Sequence, residues 1–105
     1  MAAVAELGSL GVIVTLEDTT RRLAEFDESH TIYAAHPWQA SSPTVVVPEP
    51  DDGSVPVEAQ RQGYRYFLEV SIASEFLEGW RASLGREPSV AETCSRLIQY
   101  AENDA

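Results

Sequence analysis

Residues Tyr64–Leu84, YRYFLEVSIASEFLEGWRASL, change periodicity along their length, and that change decides the fold. Tyr64, Tyr66, Leu68 and Val70 alternate with Arg65, Phe67 and Glu69, the period-two pattern of a strand with one core face and one partly covered face. From Ser71 the apolar residues fall at Ile72, Phe76, Leu77, Trp80 and Leu84, the stripe of an amphipathic helix with Glu75, Glu78 and Arg81 on its wet side. A strand feeding straight into a helix buries both apolar faces when the helix folds back onto a sheet. The segment predicts an α+β fold.

Toward the C-terminus, Gly85 marks a helix stop, and Ser89 with Glu92 has the spacing of a capping box. It opens a helix from Val90 to about Glu102 with Cys94, Leu97, Ile98 and Ala101 on one side. Toward the N-terminus, Val57–Gln62 reads as one helical turn, and Pro48–Pro56, PEPDDGSVP, as a loop holding Glu49, Asp51 and Asp52 without a basic residue. Thr31–Ala35 and Thr44–Val47 read as a strand pair joined by HPWQASSP, in which Trp38 either packs over the sheet end or faces a partner. Leu16–Phe26 reads as a helix behind a Thr15 start signal, and Val12–Val14 as a short strand or extended lead-in. The expectation is a single compact domain over residues 1–105, with residues 1–14 set apart as an extension. Its core is a small three- or four-stranded antiparallel or mixed sheet packed against two or three helices.

The chain has 105 residues, 44% of them hydrophobic, enough for a core without disulfide staples. Seven basic residues, all arginine, stand against seventeen acidic ones, a formal charge of -10. Such a surface repels nucleic-acid phosphates and anionic membranes and attracts basic proteins, so neither nucleic acid nor membrane is an expected partner. The single cysteine, Cys94, excludes an internal disulfide and fits a reducing compartment, which makes the cytoplasm the expected location. Glu6 interrupts the apolar N-terminus and no basic leader precedes it, so no signal peptide is expected. Glu17 and Arg21, Asp18 and Arg22, and Glu92 and Arg96 are four apart on proposed helices, where a surface pair contributes ~0.2–0.5 kcal/mol.

The order of a leading helix, TIYAA, PW, VVVPEP, YFLEV and a terminal YAENDA resembles small uncharacterised acidic bacterial proteins. The resemblance covers most residues after Thr15 and implies one domain. It carries over no activity or functional residue.

No Gly-rich phosphate loop, metal-ligand pair or nucleophile elbow is present, so no catalytic residue and no cofactor or metal is assigned. His30 and His36 read as exposed or structural, and Glu69, inside the strand, must reach water or a partner. The leading expectation is a non-catalytic protein whose acidic surface binds a basic protein, as an inhibitor or immunity-type factor would, through Tyr33, Trp38, Glu49, Asp51 and Asp52. The alternative is a small-ligand-binding or enzymatic domain with an aromatic pocket between sheet and helices, lined by Tyr64, Tyr66, Phe76 and Trp80. An exposed strand edge could also pair two copies as a homodimer.

Overall fold

The computed structural model describes residues 14–104. In chain order the elements are β1 (Val14–Thr15), α1 (Leu16–Arg21), a 3-10 turn (Leu23–Glu25), β2 (Thr31–Ala35), β3 (Pro43–Val47), α2 (Val57–Arg61), β4 (Tyr64–Glu69), α3 (Val70–Leu84) and α4 (Val90–Asp104). The strands form one antiparallel sheet in the order β1-β3-β2-β4. Four helices pack on it, against an expected two or three, because the single turn at Val57–Arg61 is a helix of its own. Most of the expected extension, and the lead-in at residues 12 and 13, lie outside the described residues. Among the described residues no helix is long and apolar enough to cross a membrane.

Both faces of the sheet are covered. On one face, Ile32, Ala34, Phe67 and Leu68 pack with Leu16 of α1, Leu77 of α3 and Leu97 of α4. On the other, Tyr33, Val45 and Tyr64 pack with Ala59 of α2, and Val55 of the preceding loop closes over them.

The alternation expected along β4 breaks in its middle. Ile32 pairs with Leu68 and Tyr33 with Tyr66, so Phe67 has no opposite number on β2 and forms a bulge. One extra residue reverses the parity of everything beyond it. Tyr64 and Tyr66 therefore belong to the α2 face, whereas Leu68 joins Phe67 on the face of the long helices. The expected shared face of Tyr64, Tyr66, Leu68 and Val70 is corrected accordingly. Val70 is the first residue of α3 and is fully buried among the long helices.

Two strands run into helices without a loop, and each junction leaves the first helical N–H groups without intrahelical acceptors. The Val70 N–H donates to the His30 carbonyl at 3.0 Å. At the other junction, the Leu16 and Glu17 N–H groups donate to the Ser42 and Ala40 carbonyls, each at 2.9 Å. Thr15 caps α1 by accepting from the Asp18 N–H at 3.0 Å, and Ser89 caps α4 by accepting from the Glu92 N–H at 3.0 Å. Gly85 ends α3 in the left-handed conformation, φ 72°, which a side chain would strain.

The first helix is shorter than its periodicity suggests. The Thr19 and Thr20 hydroxyls donate back to the Thr15 and Leu16 carbonyls, and past Arg21 the chain tightens into the 3-10 turn that still buries Leu23. The surface pairs shift with it. Arg21 bridges to Asp18 rather than Glu17, and Arg22, beyond the helix end, reaches Glu25 at 3.1 Å rather than Asp18. Arg86 takes Glu92 at 2.6 Å, leaving Arg96 4.9 Å from the centroid of the Phe76 ring. The Glu92 carboxylate thus completes an ion pair instead of the second half of a capping box.

Phe67 is 1% exposed and meets the Trp38 ring edge-on at 4.9 Å between centroids. Phe67→Ala should lower the unfolding free energy in urea by about 3–5 kcal/mol. Trp38 emission, read in a Trp80→Phe background, should shift to the red.

Candidate functional site

Strand order gathers carboxylates that are far apart in the chain. Thr31, the first residue of β2, lies beside Val47, the last of β3, and beside Glu69, the last of β4. The turn entering β2, with Asp27 and Glu28, therefore lies at the same end of the sheet as the loop leaving β3, with Glu49, Asp51 and Asp52, and as Glu69. The ion pairs among the described residues engage Asp18, Glu25 and Glu92, so none of the acids at this end has an arginine partner.

Two turns at this end share one device. The Ser29 N–H and hydroxyl both donate to Asp27 Oδ1, at 2.8 and 2.7 Å, and the Ser54 N–H and hydroxyl both donate to Asp52 Oδ1, at 3.0 and 2.7 Å. The serine hydroxyl first, and its N–H second, holds each carboxyl below the usual aspartate range. Gly53 completes the second turn at φ 77°, with its N–H on the Pro50 carbonyl at 2.9 Å. Asp51 and Asp52 are exposed, and Glu49 is half-buried.

The five residues expected to form a partner surface do not share one. Glu49, Asp51 and Asp52 stand at the acidic end, but Tyr33 is 1% exposed inside the core under α2. Trp38 follows β2 at the opposite end of the sheet. Its ring is half-buried against Phe67 and His36, and its Nε1 donates to the Ala34 carbonyl at 3.2 Å. Of the five, only the three acids stand together, and Asp27, Glu28 and Glu69 lie at the same end of the sheet.

The four aromatic residues of the alternative pocket are also divided. Tyr64 and Tyr66 lie on the α2 face, whereas Phe76 and Trp80 pack against the core of the long helices. Phe76 is covered by the stacked ring of Tyr100 at 4.1 Å. An open cleft of about 500 Å³ lies elsewhere, between the 3-10 turn and α3, lined by Leu23, Phe26 and Leu77 with Arg21, Glu78 and Arg81 at its polar wall.

Among the described residues, no group of three or more His, Cys, Asp or Glu side chains is placed to hold a metal ion. Cys94 is 1% exposed, and burial raises its thiol pKa, which suits packing rather than nucleophilic chemistry.

Asp27 and Glu28 went unassigned on sequence grounds. Their signal was the proposed pairing itself, because antiparallel strands with a valine-rich second member place the turn before the first beside the loop after the second. No protein-family model matches the chain, and no curated protein or solved structure is significantly similar to it. The resemblance to small bacterial proteins rests on sequence layout alone.

Because the serine donors stabilise the ionised form, Asp27 and Asp52 should titrate below the ordinary value of 3.8 in carboxyl-detected NMR. The sign follows from linkage: a depressed folded-state pKa adds stability above the unfolded value, and this is lost as pH falls through the folded one. Ser29→Ala and Ser54→Ala should each move the neighbouring aspartate back toward its ordinary value.

Proposed function

We propose that this chain is a non-catalytic interaction protein that binds a basic protein through the acidic end of its sheet, in the manner of an inhibitor or immunity-type factor. The observation carrying the reading is the convergence of Asp27, Glu28, Glu49, Asp51, Asp52 and Glu69 at one end, without an arginine bridging any of them. Arg21, Arg22 and Arg86 are drawn into local pairs, and Arg96 lies over an aromatic ring. Like charges held together by a fold repel one another, and a cationic partner relieves that repulsion on docking. Two of the carboxylates are fixed in Asx turns, so less side-chain freedom is lost when the partner arrives. The small-ligand reading loses its shared aromatic pocket and would have to move to the cleft beside Arg21 and Arg81. β4 is the edge strand through which a homodimer would pair, and light scattering over a wide concentration range would detect one.

The test is capture of binding proteins from a bacterial lysate at low salt by the tagged full-length chain. Association kinetics of the purified captured protein follow. Replacing Glu49, Asp51 and Asp52 by Gln, Asn and Asn should slow association about tenfold at low ionic strength, the difference closing at ~0.5 M salt. Equal rates and equal salt dependence for the two chains would remove the reading.

A further inference from the structure

Asp52 is the one aspartate of the chain that is followed by glycine. That order carries a chemistry of its own. The amide nitrogen of the following residue can bond to Cγ of the aspartate and close a succinimide ring, while a carboxylate oxygen leaves as water with the nitrogen's proton and a proton from solvent. Water then reopens the ring at either carbonyl and returns a proton to solvent. Opening at Cγ restores aspartate, whereas opening at the backbone carbonyl leaves isoaspartate, in which the main chain runs through Cγ and the α-carboxylate is free. Nothing is gained or lost overall. Glycine permits the attack because it has no Cβ to crowd the nitrogen.

Asp52, Gly53 and Ser54 are all exposed, so water reaches the site. The turn nevertheless holds both reacting groups. Asp52 Oδ1 accepts from the Ser54 hydroxyl at 2.7 Å and from the Ser54 N–H at 3.0 Å. The Gly53 N–H, on the nitrogen that would attack, donates to the Pro50 carbonyl at 2.9 Å. The serine hydroxyl first, and its N–H second, keep the carboxyl below the usual aspartate range, so less of it carries the proton with which its oxygen leaves as water. Glu49 Oε2 lies 3.7 Å from where a side chain on residue 53 would begin, and its negative charge opposes loss of the nitrogen's proton. For the ring to close, the nitrogen must give up the Pro50 carbonyl and its proton, and the carboxyl must take up a proton. Each change is opposed by a contact of the turn.

Asp27 is the internal comparison. Ser29 holds its Oδ1 through the same two donors, but the next residue is Glu28, whose side chain crowds the nitrogen and adds a negative charge beside it. We infer that the Asp52–Gly53 bond is a site of isoaspartate formation, which Ser54 keeps closed in the folded chain and which opens when the turn is lost. The inference does not depend on what the acidic end binds. The product keeps its charge, but the main chain gains a methylene and the carboxylate moves from the side chain to the backbone. Neither the serine bonds to Oδ1 nor the Gly53 bond to Pro50 keeps its register across that longer chain. Isomerisation therefore changes the shape of the acidic loop and leaves its charge.

The test incubates the full-length chain at neutral pH and physiological temperature, folded and in guanidinium chloride. Isoaspartate at each aspartate is measured by peptide mapping, with electron-transfer fragmentation to tell the isomers apart. In denaturant it should accumulate at Asp52 and not at Asp27. In the folded chain it should form at Asp52 at least about tenfold more slowly, the effect of one hydrogen bond to a charged group. Ser54→Ala should speed the folded-state reaction at least about threefold, because the N–H donor remains, and Ser54→Thr, which keeps the hydroxyl, should stay at the parent rate. Ser29→Ala should give no isoaspartate at Asp27. Amide hydrogen exchange in β2 and β3 should be the same in Ser54→Ala as in the parent, which places the effect in the turn; faster exchange there would overturn that local role. Equal rates in the folded and denatured chains, equal rates in the parent and Ser54→Ala, or as much isoaspartate at Asp27 as at Asp52 would each overturn the inference.

Discussion

One unpaired residue in the sheet governs much of the arrangement. At Phe67 the chain carries one more residue than its neighbour β2, and the side chains beyond it change face. Without that insertion Leu68 would lie with Tyr64 and Tyr66 on the α2 side, and the long helices would lose a fully buried contact. With it, Phe67 and Leu68 both enter the main core, Glu69 turns to the phenol side, and the strand ends at the point where α3 must begin. Trp38, folded back from the far loop, covers the bulged ring from outside. An extra side chain on an already crowded face needs such a cover, which accounts for the bonds that tie the Trp38 loop down: Gln39 N–H to Ser42 Oγ, and Ser42 Oγ to the Pro37 carbonyl.

The direct strand-to-helix junctions extend the same economy of connection. A helix start normally leaves several N–H groups to water or to a capping side chain. Here the carbonyls of neighbouring loops take some of them, His30 for α3 and Ser42 and Ala40 for α1. Each loop is thereby held against a helix it does not precede. The loop carrying His30 also carries Asp27 and Glu28, so the bond that starts α3 helps position part of the acidic end.

Charge is distributed unevenly for a reason of placement. The arginines of the three ion pairs sit around α1 and α4, and each takes an acid three or six residues away. Exposed pairs of this sort contribute little to stability and are screened by salt. None of the three engages an acid at the acidic end of the sheet. A fold with a formal charge of -10 concentrates part of that charge at the end of the sheet where β2 begins and β3 and β4 finish.

Much of the local structure was legible in the chain itself. TIYAA, TVVV and YRYFLE are strands because β-branched and aromatic residues suit an extended backbone with both faces covered. VSIASEFLEGWRASL and the segment after Ser89 are helices because their apolar residues recur at helical spacing between readable caps. The acidic loop was equally plain, from its composition. Three things were not. The bulge at Phe67 depends on how many residues β2 sets against β4, a property of the pair rather than of either strand. The burial of Tyr33, and its separation from Trp38, follow from which face and which end of the sheet each occupies. The gathering of Asp27 and Glu28 with Glu49 and Glu69 at one end of the sheet requires the antiparallel register itself. Residue type and spacing determined the elements of this protein, because backbone preference and amphipathicity are local. Tertiary structure alone decided which carboxylates share an end of the sheet and which aromatic rings share a face, because proximity across a sheet is set by pairing partners distant in the chain.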